Sequence, residues 1–265
     1  MLRHDIRNSM GSANPADVVL KRLRSLAPLS ERESALVLGL GAQRQTNPAG
    51  VELYREGSAI GRPKVLLDGW AARCRVLPDG RRQIFTFVLP GDAIGLCSRS
   101  EPVALSSTIG LTRTITADAA SLADAAYQRN DDFEGISLAV SVAGTLEEAS
   151  LLDHIVRLGR QTAYERMAHL LLELRWRLMT VGLGTERKFP MPLTQEGLAD
   201  ALGLSIVHVN RTLQQLRREG LVEARSGYVE ILKPEVMIAA SDFRLPQPTR
   251  QDAWRTDGPE LRPQA

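Results

Sequence analysis

The chain has 265 residues, which is enough for one or two domains, and its formal net charge at pH 7 is only +2. With 43% hydrophobic and 24% charged residues, its composition is typical of a soluble globular protein. No apolar run approaches the ~20 residues of a membrane span, and residues 1–17 lack the apolar core of a signal peptide. The two cysteines, Cys74 and Cys97, are too few for a disulfide framework. We therefore expect a cytoplasmic protein without a membrane partner.

Two short helices are predicted near the start of the chain, after a polar segment at 1–15 that we expect to lack regular structure. Apolar residues recur with helical spacing at 16–25, and a second helix is predicted at 29–40. Ser30 and Glu33 stand at the start of the second helix with the spacing of a capping box, in which each side chain bonds the other residue's backbone N–H.

Short strands separated by glycine-containing turns are predicted from residue 44 to residue 96. The Asp-Gly pairs at 68–69 and 79–80 lie between apolar runs, and this dipeptide favours a hairpin because both residues tolerate positive φ. The strand pattern continues less clearly through 104–126. Closely spaced strands without intervening helices predict an antiparallel sandwich or barrel, and the absence of GxGxxG argues against a nucleotide-binding βαβ fold.

A long helix is predicted at 133–158, where apolar residues recur at steps of three and four. Such a stripe has two interpretations, because it is either buried within one monomer or forms a coiled-coil-like seam between two copies. We predict the seam. The predicted homodimer interface consists of Leu138, Val142, Ala149, Leu152 and Val156.

Residues 193–222 predict two helices joined by a tight turn. Thr194 is placed to cap the first helix, and Gly203 stands where that helix ends and the chain needs a left-handed residue. Ser205 is placed to cap a second helix, which is predicted to continue to about Glu219. This geometry is typical of a helix-turn-helix.

The second of these helices has an apolar side and a polar side. Val209, Leu213 and Leu216 share the apolar side, and no acidic residue occurs from Ser205 to Arg218. In a DNA major groove, arginine can form two hydrogen bonds with guanine, while asparagine and glutamine can pair with adenine. The helix is therefore suited to reading DNA, and the alternative is a solvated amphipathic helix in an unrelated domain.

A hairpin is predicted after the second helix, with strands at 221–224 and 228–232 around a turn that contains Arg225. A helix-turn-helix followed by such a hairpin is a winged helix, in which Arg225 either reaches a phosphate or remains an exposed turn arginine without a contact. A further helix is predicted at 161–181. The full set of predicted DNA-contacting residues is Thr194, Ser205, Ile206, Val207, His208, Asn210, Arg211, Gln214, Arg218 and Arg225.

The order of strand region, long helix and winged helix-turn-helix resembles the Crp–Fnr family of bacterial transcription regulators over residues 18–233. In the C-terminal half the resemblance rests on the sequences LTQEGLADALGLS and HVNRTLQQLRREGLV. In the N-terminal half it rests on a glycine framework. That framework comprises Glu56 with Gly57, Gly69, Gly80, Pro90 with Gly91 and Asp92, and Gly95.

The resemblance implies an α+β protein with an N-terminal antiparallel β-roll of the double-stranded β-helix or jelly-roll type. The implied domains are a sensor β-roll, similar to a cyclic-nucleotide-binding domain, at 16–132, a dimerisation helix at 133–160 and a winged helix-turn-helix at 161–240. A disordered tail is predicted at 241–265, where proline and mixed charge are frequent.

The family resemblance also implies a homodimer that binds double-stranded DNA at a two-fold symmetric operator, with RNA polymerase as a further partner if the protein is an activator. The family's base-reading positions fall on Ile206, Val207 and Arg211. Arg211 matches the arginine that reads guanine. Ile206 and Val207 differ from the charged or polar pair of the cyclic-AMP-responsive members, so we expect a different operator half-site.

The sensor half departs from the cyclic-AMP-binding members at two positions. Those members have a glutamate after the glycine that matches Gly95, where this chain has Leu96, and Ser106 replaces their phosphate-binding arginine. Burying a phosphate without a cation is costly, so we expect a signal other than cyclic AMP. The iron–sulfur members need four cysteines, so with two in this chain no cluster is expected.

No cofactor and no metal are predicted, and the effector is unknown. Cys97 is either a redox sensor or a buried hydrophobe. His154 and His169 are expected to pack or to lie at the surface rather than to bind haem. The candidate effector-binding residues are Cys97, Ser106, Ser107 and Thr108.

Two other classes of function compete with a DNA-binding regulator. One is an enzyme that uses the β-roll pocket, although the chain has no metal-ligand spacing and no nucleophile motif. The other is a winged helix that binds protein, against which the acid-free arginine face argues. We therefore predict a transcription regulator that is not an enzyme.

Overall fold

The computed structural model describes residues 14–128 and 131–245. The predictions made for residues 1–13 and 246–265 lie outside this part of the chain.

The N-terminal half consists of two short helices followed by short strands. The elements are α1 (Asp17–Arg24), α2 (Glu31–Gly39), β1 (Arg44–Asn47), β2 (Glu52–Tyr54), β3 (Lys64–Asp68), β4 (Ala71–Val76), β5 (Arg82–Val88), β6 (Ala93–Ile94), β7 (Ser107–Gly110) and β8 (Thr114–Asp118). The strands pair in two four-stranded antiparallel sheets, in the orders β1-β8-β3-β6 and β2-β7-β4-β5. The predicted antiparallel β-roll is confirmed, and Ser30 and Glu33 form the predicted capping box.

The turn between β3 and β4 depends on a glycine, as the Asp-Gly pair predicted. Gly69 has a φ of 84°, in the left-handed region. A Cβ atom at this position would lie 2.1 Å from the carbonyl oxygen of Arg113, so no larger residue fits without moving the backbone.

The weak strand pattern predicted as far as residue 126 is wrong at its end, where the chain forms helix α3 (Ala120–Tyr127). Alanine occupies four of the eight positions of this segment, and it has the highest helix propensity. The carboxylate of Asp118 accepts a hydrogen bond from the backbone N–H of Ala120 at 2.8 Å, which satisfies one free donor at the start of the helix.

The C-terminal half consists of helices and one small sheet. The elements are α4 (Glu134–Arg160), α5 (Ala163–Thr180), β9 (Lys188–Pro190), α6 (Gln195–Leu202), α7 (Ile206–Arg218), β10 (Val222–Arg225), β11 (Tyr228–Ile231) and α8 (Pro234–Ser241). The sheet is antiparallel in the order β10-β11-β9. The predicted long helix and winged helix-turn-helix are therefore present.

Helix α4 has 27 residues, and its length and composition alone would suffice to cross a membrane. Charged residues interrupt this helix, so it holds no unbroken apolar run of ~20 residues, but its most apolar 18-residue window has a mean hydropathy of 1.3. Only 22% of that window is buried within the chain. Its exposed apolar residues are equally what a partner helix would cover.

One apolar core joins the β-roll to the C-terminal half. Trp70 and Phe87 from the β-roll are buried with their rings edge to face, 6.0 Å apart, and they belong to the same cluster as Leu171, Leu174 and Leu178 of α5. Burying large side chains from both halves together contributes about 1.5–3 kcal/mol for each. The two halves are therefore packed as one body.

Charged contacts hold the C-terminal half at both ends of β5. At one end, Arg82 pairs with Asp200 of α6, with 2.7 Å between Nη2 and Oδ2, and Gln83 donates to the backbone carbonyl of Asp200 at 2.9 Å. Beyond the other end of β5, Arg177 of α5 pairs with Asp92, with 2.6 Å between Nη2 and Oδ2.

A buried ion pair joins α4 to α5. Arg157 donates from Nη1 to Glu173 Oε2 at 2.6 Å, and both side chains are buried. Burial favours the neutral carboxyl, but the charges of Arg157 and Arg177 outweigh burial and hold the pKa of Glu173 below its usual value. His154 and His169 lie against the same guanidinium, with ring Nδ1 atoms at 3.4 and 3.1 Å.

These two histidines predict a loss of stability in mild acid. Burial, together with the charge of Arg157, lowers the pKa of His154 and of His169 to about 4. An unfolded histidine titrates near ~6.5, so between about pH 6.5 and pH 4 the unfolded chain binds more protons than the folded chain. The free energy of unfolding should therefore fall as pH falls through this window, by up to about 1.4 kcal/mol per pH unit for each histidine.

Urea unfolding at a series of pH values measures this slope. His169→Asn should flatten the slope, because it removes one of the two buried histidines. A wild-type slope in this variant would show that His169 does not contribute.

The predicted disordered tail is wrong for residues 241–245, the part of it that the structure describes. Phe243 is buried, and its ring packs edge-on against His169 with 5.1 Å between centroids. Gln161 donates to the backbone carbonyl of Ser241 at 2.9 Å, so this segment is fixed to the start of α5.

Candidate nucleic-acid interface

Helices α6 and α7 form a helix-turn-helix whose ends are set by local hydrogen bonds. Thr194 Oγ1 accepts from the N–H of Gly197 at 3.0 Å, and Ser205 Oγ accepts from the N–H of His208 at 3.3 Å, as N-caps do. Gly203 ends α6 with a φ of 63°, and a Cβ there would lie 3.0 Å from Leu158 Cδ2 of α4. The sequence predicted both caps and the turn correctly.

Helix α7 buries one side and presents the other to solvent. Val209 and Leu216 have no exposed surface, and Leu213 is buried with them. The opposite side carries most of the residues predicted to contact DNA. Ile206, Val207, His208, Arg211, Gln214 and Arg218 are exposed, and Asn210 is half-buried.

The exposed side of α7 offers hydrogen-bond donors and positive charge. Within the described residues, Arg211 makes no hydrogen bond and no ion pair, so its guanidinium is available to a ligand. The helix N-terminus adds a partial positive charge at the same end. His208 is less available, because its Nδ1 lies 3.0 Å from Ser205 Oγ.

The wing follows as the hairpin of β10 and β11, with Ser226 and Gly227 in the left-handed region at its turn. Arg217 of α7 donates to the backbone carbonyl of Ala224 at 2.8 Å, which fixes the wing against the helix. Arg225 is exposed beside the turn, and its Nη2 lies 3.5 Å from Glu223 Oε2. Such a surface pair is worth about 0–1 kcal/mol, so a phosphate could displace the carboxylate.

The apolar seam predicted on α4 is largely exposed, as an interface between two copies requires. Leu138, Leu152 and Val156 are 41%, 58% and 53% exposed, and Ile155, which the prediction omitted, is 65% exposed. The described part of the chain therefore leaves about half of the surface of these residues open to solvent. Ala149, another member of the predicted seam, is half-buried.

Val142 is the exception, because its own chain already covers it and leaves little surface for a partner. It is 7% exposed and packs in the same buried cluster as Val37, Leu40 and Leu122 of its own chain. Helix α4 carries two apolar faces, and Val142 belongs to the one that covers the N-terminal helices.

A cavity of about 840 Å³ lies between the β-roll, α4 and α5. Of the predicted effector-binding residues, Cys97, Ser106 and Thr108 line it. Ser107 does not, because successive residues of a strand point to opposite faces. Its hydroxyl donates instead to Glu52 Oε1 at 2.7 Å and accepts from the N–H of Glu56 at 3.1 Å.

Sequence reasoning missed the arginines that line this cavity, among them Arg73 and Arg99, so the expectation that a bound phosphate would find no cation there is wrong. Arg73 of β4 lines the cavity and donates to Ser106 Oγ at 3.4 Å. Its guanidinium already forms an ion pair with Glu147 of α4. An arginine between the apolar Ala72 and Cys74 was the available signal, because a charge inside an apolar strand needs a partner.

These features define the class of protein: an antiparallel β-roll with a cavity, joined by a long helix to a winged helix-turn-helix with an arginine-bearing face. Comparison with known proteins agrees. Residues 165–240 match the family model of the Crp-like helix-turn-helix domain.

Two relatives cover about two thirds or more of both chains. The nitrogen fixation regulation protein FixK of Bradyrhizobium diazoefficiens is 33% identical over 170 residues, which is 64% of this chain and 69% of FixK. The transcriptional activatory protein AadR of Rhodopseudomonas palustris is 30% identical over 183 residues, which is 69% of this chain and 74% of AadR. The solved structure of FixK2 from Bradyrhizobium japonicum has a TM-score of 0.63 at 26% identity, covering 75% of this chain and 96% of FixK2.

The chain belongs to the Crp/Fnr family and is a DNA-binding transcription regulator. Its relatives are transcription regulators and not enzymes.

Proposed function

We propose that the protein acts in the cytoplasm as a homodimer that binds a two-fold symmetric operator, with one α7 in each half-site. The observation that carries the proposal is the exposed face of α7, which has no acid and holds Arg211 without a partner among the described residues. If the protein activates transcription, RNA polymerase is its further partner.

The dimer half of the proposal rests on α4. Its exposed Leu152, Ile155 and Val156 would lose water only against a partner, and a second α4 offers the same stripe. Isologous pairing of one stripe with its copy is the commonest way in which soluble proteins form dimers. Two copies related by a two-fold axis then match a two-fold symmetric operator.

The residues of each half are assigned by position. We assign the sensor to 16–132, the dimer helix to 133–160 and DNA binding to 161–240. Arg211 reads a guanine, and Arg218 and Arg225 contact phosphates. Thr194 and Ser205 are exposed at the N-termini of α6 and α7, where free backbone N–H groups favour phosphate oxygens.

Arg211→Ala tests the DNA-reading assignment, with Arg218→Ala as its matched control. Loss of a bidentate base contact should cost about 1–3 kcal/mol and relax the preference at one position of the half-site. Loss of a phosphate contact should weaken binding equally for all sequences and reduce its salt dependence. Selection of binding sites from random DNA separates the two, and an unchanged preference in Arg211→Ala would remove Arg211 from the reading set.

The β-roll is proposed to receive a signal other than cyclic AMP. Leu96 packs against the apolar core and offers no hydrogen bond to a ribose, and Ser106 carries no charge. Arg73 is present in the cavity, but a phosphate would have to displace Glu147 from it. Losing two charged hydrogen bonds at about 1.5–3 kcal/mol each should weaken cyclic AMP binding about a hundredfold or more.

Titration calorimetry with cyclic AMP, followed by operator binding with and without the nucleotide, tests this expectation. We expect no heat at micromolar nucleotide and no change in operator affinity. Micromolar binding that raises operator affinity would contradict it. Glu147→Gln, which frees Arg73, serves as the comparison that shows whether the ion pair is what closes the site.

A further inference from the structure

The first turn of α7 exposes two apolar side chains. Ile206 is 46% exposed and Val207 is 67% exposed, although Val209 two residues later is fully buried. Neither side chain belongs to a buried cluster. Branched residues are also weaker helix formers than the alanine, glutamine or arginine that would suit an exposed helix position. Nothing in the described fold therefore uses Val207.

Val207 lies in the middle of the face that would meet DNA. At 3.6 residues per turn, it shares a line with Arg211, one turn later, and lies opposite Val209 and Leu216. Val207 lies one turn closer than Arg211 to the N-terminus of the helix, and helical side chains lean towards that end. The N-terminal residues of a recognition helix are those that reach base edges in the major groove.

The chemistry of the groove limits what a valine can recognise. Valine neither donates nor accepts a hydrogen bond, and a cytosine amino group would need an acceptor such as glutamate. The C5 methyl of thymine is the apolar group that the base pairs present in the major groove. A four-residue step along a helix covers about 6 Å, while successive bases rise about 3.4 Å, so the two side chains address bases within about two steps of each other.

We propose that Val207 is a specificity-determining residue, which selects thymine in each half-site by packing against its C5 methyl, within about two base pairs of the guanine read by Arg211. This inference rests on the proposed operator binding through α7.

Deoxyuridine tests the inference, because it differs from thymidine in this methyl group alone. The operator is first obtained by selection from random DNA with the full-length protein. Each thymine of a half-site is then replaced by uracil, and the affinity is measured at one fixed salt concentration. Replacing the contacted thymine in one half-site should weaken wild-type binding about fourfold. Replacing it in both half-sites should weaken binding about fifteenfold, as burial of one methyl per half-site implies if the losses add.

The variant Val207→Ala tests whether Val207 is the side chain that contacts the thymine methyl. This variant should bind the thymine operator less tightly and should no longer distinguish thymine from uracil at that position. Ile206→Ala is the matched control, which should keep the distinction there. Because Val207 is exposed, its replacement should leave the fold intact, and an unchanged thermal unfolding midpoint checks this.

The outcomes separate two hypotheses. Equal wild-type affinity for thymine and uracil at every position overturns the reading role of Val207, while sequence-specific binding itself still stands. A uracil effect that persists in Val207→Ala also overturns it, because another side chain then contacts the methyl. If selection recovers no preferred sequence at all, the proposed operator binding fails first.

Discussion

Glu173→Gln is expected to lower the free energy of unfolding by about 3–5 kcal/mol, because it leaves the buried guanidinium of Arg157 without its counter-charge. The guanidinium would then face the rings of His154 and His169, which carry no negative charge to replace it. Its Nε already lacks a hydrogen-bond partner within the described residues. Urea unfolding at one fixed protein concentration measures the change.

Glu223→Gln is the control for this prediction. Glu223 pairs with Arg225 on the exposed wing, and surface pairs of this kind are worth about 0–1 kcal/mol. Both variants remove one carboxylate and nearly preserve side-chain volume, so the difference between them isolates burial. Equal losses in the two variants would show that the Arg157 pair is not a major source of stability.

Leu152→Glu is expected to convert the proposed dimer to a monomer at micromolar concentration. Leu152 is 58% exposed in the single chain and lies in the middle of the apolar stripe on α4, so a carboxylate there would be buried without a partner on dimerisation. A monomer holds only one half-site, and losing the linked second site should weaken operator binding on the order of a hundredfold or more.

Sedimentation velocity measures the oligomeric state, and Val76→Glu is the matched control. Val76 is similarly exposed, at 54%, but lies at the end of β4 and is not part of the α4 stripe. The Val76→Glu variant should remain a dimer with wild-type operator affinity. A dimeric Leu152→Glu would place the interface elsewhere on the molecule.

The helix-turn-helix could be predicted from the sequence because its determinants are local. The caps at Thr194 and Ser205 and the left-handed turn at Gly203 each depend on a few neighbouring residues. The same holds for the Asp-Gly turn at Gly69. Such features need no knowledge of which distant elements meet.

The sensor cavity could be predicted only in part, because its lining depends on tertiary contacts. Arg73 matters there because a distant segment, α4, brings Glu147 against it. Ser107 lies outside the cavity lining because the phase of β7 was not fixed by its composition, and one residue changes the face to which a side chain points. Val142 lies on the face covered by its own chain, and a heptad pattern does not say which of two apolar faces meets a partner.

The common core of the β-roll and α5 limits where the chain can be cut to produce a separate DNA-binding fragment. A cut between α4 and α5 follows the boundary that the sequence suggests, yet it would separate Leu171 and Leu174 from Trp70 and Phe87, which belong to the same buried cluster. The excised DNA-binding fragment would then expose an apolar surface and be prone to self-association. Val209 and Leu216 of α7 belong to the same cluster, so repacking the β-roll side of this core is expected to change the orientation of α7 without altering any residue on its exposed face.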